Sequence, residues 1–497
     1  MLLADVPPSP PADTPVPVEV RVTSERVRLD QPQPMGMVGL HLQRPIGEHA
    51  FGGISVFGAS TGDRGGFFGW GITGGARWHS GPWRAEAGYF AGGGGGSPGW
   101  VGGGLMLRPH VALGYHWGGA TLALGMAQVK FPNGAVRSTH TFASLDIGSL
   151  GLFGPADGRA AVDSGRWAPQ AMPNETSMGI ARYTPRRGSF RRDGLGDGPP
   201  LLVGGAAFRR DLGGDVAGLQ PYWLLSAGGG VSAAYAGYAE LLGGLGLRKD
   251  LPGLPLSLRA EAALGSGGAG AAADTGGGAL RKLLAGGSWQ VTPSLTLTAL
   301  AGQTASRGPF LAREQRLELA WRGWDVLPGE RRSGAHVTDS APETLQWVPW
   351  TLSSGVVVHR RAARDDGSQP ALSLTTLRLE REQGPHWRLT ALAGIATTGR
   401  AGGYATGQLG VGWLTAQQPD SPWRVGAAAS LGAAGGGGVR VGNGWIADAQ
   451  LLARYTLSPH WALQGEAGWL RNGSGVLTTP QFGVSAVFAF SRLQGGR

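Results

Sequence analysis

From Trp445 to Phe490 the chain changes character with every residue. Trp445, Ala447, Ala449, Leu451, Ala453 and Tyr455 alternate with Ile446, Asp448, Gln450, Leu452 and Arg454. After a Ser458-Pro459-His460 turn, Trp461, Leu463, Gly465, Ala467 and Trp469 alternate with Ala462, Gln464, Glu466 and Gly468. A third run sets Phe482, Val484, Ala486, Phe488 and Phe490 against Gly483, Ser485, Val487 and Ala489. Period two places the two sets on opposite faces of a strand. One face is apolar and carries Trp, Tyr and Phe. The other is small, polar or charged. A soluble β-sandwich also alternates, but aromatics at strand ends with apolar residues outside and polar ones inside are the pattern of a transmembrane β-barrel wall.

The same alternation recurs upstream. Val18, Val20 and Val22 open a first strand. Phe68 to Trp78, Trp83 to Tyr89, Val111 to Trp117, Leu254 to Leu264, Leu295 to Ala301, Leu317 to Trp321, Trp387 to Ala393 and Trp423 to Leu431 follow the pattern. The 91 glycines and 33 prolines in 497 residues would in isolation suggest low complexity. Here they sit among alternating aromatic and aliphatic residues, so they read as strands and turns. No run of about 18 apolar residues exists, which excludes a transmembrane helix. The absence of cysteine excludes disulfides and Cys-ligated metals. The formal net charge of +10 comes with scarce lysine and abundant arginine, a composition suited to carboxylate, phosphate or sulfate recognition. No compact Lys/Arg helix points to nucleic acid. Met1 to Asp5 lacks a basic and a full apolar region, as the stub of a truncated signal peptide would. Residues 1–17 are Pro-rich and read as an extended linker.

Residues of about 150–199 break the alternation and read as one long irregular loop. Pro385, Pro422 and Pro459 each precede a Trp-started strand at even spacing, which reads as hairpin periodicity. Counting hairpins back from Phe490 puts the Pro-Trp turns on one side. The glycine-rich loops at 92–99, 266–278 and 433–444 fall on the other, together with 150–199. Short turns inside and long loops outside are the barrel rule. The exception is 325–343, a long segment on the short side. The count ends at about 24 strands, within roughly 16 to 26, forming one all-β antiparallel barrel over 18–490 with a tail at 491–497.

The polar face carries Arg77, Arg84, Glu86, Arg259, Glu261, Arg316, Glu318, Arg378, Glu380, Arg388, Arg424, Asp448, Arg454 and Glu466. On a lipid face these charges are costly; in a wet lumen they are natural. They line a conduit that favours anions, or they form cross-strand ladders that brace the wall. Arg186, Arg187, Arg191 and Arg192 in the expected loop are candidates for binding anions at its mouth. Trp83, Trp387, Trp423 and Trp461, each just after a turn, are expected at one membrane interface. The ten histidines form no metal-spaced motif, and His386 and His460 occupy matching turn positions. The glycine runs lack the Lys-Ser/Thr of a phosphate loop. No catalytic, cofactor-binding or metal-binding residues emerge.

The alternating strands and the terminal Phe482 to Phe490 strand resemble Gram-negative outer-membrane β-barrels as a class. Ser491 to Arg497 departs from that class, which usually ends on the last aromatic residue. The Trp-started strands, short turns and upstream linker look somewhat like the barrels of exopolysaccharide exporters. The resemblance implies an outer-membrane location, lipopolysaccharide and the barrel-assembly machinery as partners, and passage of a polar or anionic solute or polysaccharide. A surface-interaction barrel with a filled lumen is the alternative, followed by a membrane-embedded lipid hydrolase that would need a Ser-His-acid cluster on the outer wall.

Overall fold

The computed structural model describes residues 16–496 apart from 30–32, 97–100, 118, 157–167, 190–196, 233–235, 269–272, 330–343 and 419. The described residues form 24 antiparallel strands. The first eight are β1 (Val16–Val27), β2 (Met35–Ile46), β3 (Ala50–Thr61), β4 (Phe68–Ser80), β5 (Trp83–Gly95), β6 (Leu105–Trp117), β7 (Ala120–Lys130) and β8 (Arg137–Gly154). The next are β9 (Ala168–Pro185), β10 (Leu201–Asp211), β11 (Gln220–Gly230), β12 (Ala239–Asp250), β13 (Leu256–Gly268), β14 (Ala279–Thr292), β15 (Leu295–Ser306) and β16 (Leu311–Gly329). The last are β17 (Thr344–His359), β18 (Leu372–Gln383), β19 (Trp387–Ala396), β20 (Ala405–Leu414), β21 (Trp423–Gly435), β22 (Trp445–Thr456), β23 (Trp461–Asn472) and β24 (Thr478–Gly496).

The all-β antiparallel architecture and the strand number agree with the sequence. The closure is finer than the single wall expected over 18–490. β8 returns to pair with β1, in register Thr23↔Ser144. β16 returns to β9, with Leu317↔Ile180, and β24 to β17, with Leu352↔Phe488. The wall therefore closes three times, into three eight-stranded barrels. Alternation along a strand reports which face is buried, not which strand is the closing partner, so both closures fit the same pattern. Eight strands leave an interior just wide enough for side chains to fill.

Five local expectations change. The segment 150–199 is not one irregular loop: β8 runs to Gly154 and β9 occupies Ala168–Pro185. Polar residues on both faces, Asn174 to Ser177, together with Pro169 and Pro173, hide this strand from periodicity. Gly92 to Gly95 end β5 instead of forming a loop. Ser491 to Gly496 extends β24. β1 begins at Val16, inside the expected linker, whose residues 1–15 lie outside the described ones. The segment 325–343 begins as the end of β16, and its residues 330–343 lie outside the described ones.

Each barrel has two unlike ends. One carries the short turns and both ends of each barrel's own chain. The other carries the glycine-rich connections, and there the barrels touch in cyclic order. The β3–β4 connection of the first meets the β13–β14 connection of the second: Gly65 N–H donates to Gly276 O at 2.7 Å, and Ser266 Oγ donates to Ala59 O at 2.6 Å. The β11–β12 connection of the second meets the β21–β22 connection of the third, where a Cβ on Gly237 would lie 2.8 Å from Gly436 N. The β19–β20 connection of the third meets the β5–β6 connection of the first, with Gly402 N–H donating to Gly102 O at 3.0 Å. In every case a barrel's third-to-fourth-strand connection meets its neighbour's fifth-to-sixth. The three barrels are arranged as a pseudo-threefold trimer within one chain.

At the turn end, long strands reach past the barrels and converge. β24 pairs with β16 (Asp325↔Gln494) and with β8 (Arg492↔Phe153). Leu152, Val326 and Leu493, one from each barrel, form a buried apolar cluster there. Asp325 is fully buried beside it, 2.7 Å from Arg492 and 3.8 Å from Arg210. Arg210 also donates to Leu150 O and Ser149 O at 2.9 and 3.2 Å. This hub holds the three barrels together at the end opposite the glycine contacts.

Candidate functional site: three filled lumens

Every charged residue assigned to the polar face points into a lumen, but into three different lumens. In the first barrel Glu86 is the centre. Arg21 and Arg77 donate to it at 2.6 and 2.7 Å, and His110 Nε2 lies 3.1 Å away. Arg21 turns its other edge to Asp146 at 2.6 Å, and Asp146 also accepts from Arg84 at 2.5 Å. Nearer the glycine end, Glu25 accepts from Arg108 and from His140 Nε2, both at 2.9 Å.

The second barrel is organised on Arg209, which lies 2.7 Å from Glu261, 2.8 Å from Glu318 and 3.5 Å from Glu175. Arg259 grips Glu175 with two bonds of 2.7 and 2.6 Å. Arg316 contacts Glu314 at 2.6 Å and Glu318 at 3.4 Å. Lys282 donates to Glu240 at 2.6 Å, and Tyr183 and Tyr238 donate to the same carboxylate at 2.9 and 2.8 Å. Tyr238 lies in the connection before β12; burial, and then the Glu240 charge, push its phenol up, so it remains a donor.

The third lumen is sparser. Arg454 pairs with Glu380 at 2.7 Å and donates to Gln464 at 2.6 Å. Arg378 pairs with Glu466 at 2.9 Å and donates to Gln450 at 2.5 Å. Asp448 accepts from Gln450 and Gln481 at 3.2 and 2.5 Å. Arg388 and Arg424 sit at the turn-end mouth, the first on Glu382 at 2.6 Å, the second donating to Thr415 O at 2.8 Å. Several buried polar atoms here have no protein partner: Arg378 Nη1, Arg388 Nε, Gln464 Nε2 and Ser485 Oγ. At the glycine end each lumen is capped by its own apolar cluster, around Phe57 and Phe90 in the first, Tyr183 and Phe310 in the second, and Leu374 and Ile446 in the third.

Of the expected cross-strand ladder, rungs form at Arg77–Glu86 and Arg388–Glu382, while other pairs span the interior. Arg259 does not take Glu261 but Glu175 across the lumen. In an interior this narrow, opposite walls lie within reach of a guanidinium. Sequence reasoning missed Arg21, Glu25, Arg108 and Asp146 in the first barrel and Glu175, Arg209, Glu240 and Lys282 in the second. All but Glu175, whose strand β9 shows no alternation, sit at inward positions of alternating strands, so parity was the available signal for them.

Trp83, Trp387, Trp423 and Trp461 are the first residues of β5, β19, β21 and β23, all at the turn end and 50–56% exposed. Arg186 and Arg187 are exposed in the β9–β10 connection at the glycine end; Arg191 and Arg192 lie outside the described residues. His386 and His460 do share a turn role: their Nδ1 atoms lie 3.1 and 3.4 Å from Leu414 O and Ala489 O, and their rings stack on Trp413 and Phe488. A Ser-His-acid chain does form, Ser138 Oγ to His140 Nδ1 at 3.1 Å and on to Glu25. It is buried inside the first barrel, not on the outer wall. Ser138 Oγ already accepts the Arg28 N–H at 2.8 Å, and Glu25 is held by Arg108. The chain braces the lumen.

No family model matches the chain, and no curated protein matches it. Among solved structures it is similar to the siderophore receptor PirA from Pseudomonas aeruginosa at 10% identity, over 95% of this chain and 80% of that one, with a TM-score of 0.26. It is similar to OccK10 from the same organism at 10% identity, over 96% and 99% of the two chains, with a TM-score of 0.21. Neisserial surface protein A aligns at 13% identity over 31% of this chain and 97% of its own, with a TM-score of 0.22. Scores this low carry no argument about function.

Proposed function

We propose that this chain is a bacterial outer-membrane protein in which three sealed eight-stranded barrels form one block, acting through the surface it presents at the glycine end. Membrane embedding is supported by the outward faces. Leu124, Leu258, Leu283, Leu451 and Val484 are 53–70% exposed, a scale of apolar exposure that water does not tolerate. The sealed-lumen reading rests on one observation: the lumen arginines, all but Arg424 at the turn-end mouth, are partnered by carboxylates of their own barrel and lie beneath an apolar cap. Arginines committed in this way brace the wall and are not available to a passing anion, and a polysaccharide has no room in a lumen crossed by ion pairs. No catalytic residue or cofactor belongs to this reading.

Planar-bilayer recording tests it. Folded protein is expected to give no steady conductance step; a stable step of general-pore size in the wild type would overturn the sealed-lumen reading. Passage of a small polar solute is the second reading. It is favoured where buried polar atoms without protein hydrogen-bond partners point to water in a lumen: Arg378 Nη1, Arg388 Nε, Gln464 Nε2 and Ser485 Oγ in the third barrel, Arg259 Nε and Thr296 Oγ1 in the second, and His110 Nδ1 and Ser144 Oγ in the first.

A further inference from the structure

We propose that the three outer corners of the block each bind a phosphate-bearing glycolipid of the outer leaflet. The observation is a separation of charge by face. Among the described strand residues, the carboxylates of the barrel walls point inward, whereas basic side chains stand on the outward faces near the glycine end. Lys130 and Arg137 do so on β7 and β8, Arg182 and Arg313 on β9 and β16, and Arg471 on β23; Arg26 on β1 and Arg281 on β14 also stand outward, opposite Gly36 and Leu264; all are exposed. Arg360, just past β17, lies over the outward Phe482 ring, 5.6 Å from its centroid. Lys130, Arg137, Arg182, Arg313, Arg360 and Arg471 make no ion pair with a described carboxylate.

Their placement repeats. In each barrel the basic pair flanks or spans the seam where the eighth strand meets its neighbours. At the glycine end the inter-barrel contacts lie on the third-to-fourth and fifth-to-sixth-strand connections, so there the basic pairs stand clear of them. Lys130 and Arg137 are direct cross-strand partners. Like charges directly opposite each other repel, and an anion between them removes that cost. In the second barrel Arg182 stands opposite Gln315, and Arg313 opposite Thr184, which makes the two arginines diagonal neighbours. In the third, Arg471 stands opposite Thr478, and Arg360 N–H donates to Pro480 O at 3.1 Å, so the two flank the start of β24.

The level is also right for a headgroup. On β9, Met178 and Ile180 are exposed apolar residues and Arg182 is the next outward position. On β7, Lys130 lies four residues beyond the exposed Met126, about 13 Å along the strand. Each corner therefore offers acyl-chain surface below and two guanidinium or ammonium groups above, with Thr and Gln side chains beside them. Charge-assisted bonds from such groups suit phosphate oxygens.

This inference rests on the outer-membrane reading, and the test separates the two. Protein refolded in zwitterionic detergent is mixed with diphosphoryl lipid A, and bound copies are counted by native mass spectrometry. Wild type is expected to carry up to three. Lys130→Gln with Arg137→Gln, Arg182→Gln with Arg313→Gln, or Arg360→Gln with Arg471→Gln should each remove one, and all six together should remove all three. Dephosphorylated lipid A should bind no better to wild type than to the sixfold variant. Unchanged copy number in the sixfold variant, or equal binding of the dephosphorylated lipid, would overturn the proposal while leaving the membrane reading intact. Failure of wild type to insert into lipid vesicles would overturn both. The six side chains are exposed, so heat-modifiable gel migration should report the same folded state in every variant.

Discussion

The second and third barrels share strand number, closure and an apolar cap, yet their interiors differ. In the second, Arg209 is shared by three glutamates, and Glu240 takes one lysine and two tyrosines. In the third, most charges have a single ionic partner and amides supply the rest. The same wall is thus filled in two ways. A network of ions is rigid and intolerant of any missing member, because removing one leaves the others buried and uncompensated. Amides and bound water tolerate loss more easily. The second barrel reads as the stiff post of the block and the third as its adaptable one.

The largest test of that contrast is Arg209→Ala, which strands Glu175, Glu261 and Glu318. Folding free energy in urea should fall by about 3–5 kcal/mol, and a loss under about 1 kcal/mol would erase the distinction. Ala449→Arg and Ala427→Arg, on the outward face of the third barrel, should each cost about 2–4 kcal/mol in lipid and block assembly. Normal folding yield in vesicles would reject the facing assignment. Arg378→Ala, in the third lumen, should cost about 1–3 kcal/mol and, by widening a hydrated interior, introduce small conductance steps. Arg259→Ala in the second barrel should destabilise without conducting, and the reverse outcome would exchange the two barrels' roles. Asp448→Asn should be the mildest, within about 1 kcal/mol, since its partners are amides that turn to suit either group.

The inward and outward sides of each strand were legible because alternation is imposed by the pleat itself. Asp448, Arg454 and Glu466 were placed inside and Ala449 outside on that basis alone. Closure was not legible, because β1 and β8 meet through hydrogen bonds that every strand edge offers equally. A longer repeat did carry the information. Arg84-Ala-Glu86-Ala87 and Arg259-Ala-Glu261-Ala262 stand near the start of β5 and β13, the fifth strands of their barrels, and Arg424 stands near the start of β21, the fifth of the third. The three glycine-rich loops are the connections that follow these strands. Hairpin spacing within the third barrel, marked by Pro385, Pro422 and Pro459, was the louder signal and obscured the repeat. The lumen partners stayed hidden for a different reason: Arg259 reaches Glu175 across the interior, and sequence adjacency favours Glu261.

Triple closure also bears on the order in which such a chain assembles. A single ring would have to wait for Phe490 before β1 found its last neighbour. Here β1 meets β8, so the first ring is complete once Gly154 has been delivered, and the loop to be closed is correspondingly shorter. Each ring is a folding unit that seals its own edges before the next arrives, which removes exposed strand edges early. The hub is timed differently. Leu152, Val326 and Leu493 come one from each ring, and Arg492, the partner of Asp325, lies almost at the end of the chain. Without the part of β24 beyond Phe490 the rings would still close but Asp325 would be left buried without its nearest cation, so the joint between the barrels depends on β24 running past the ring it seals.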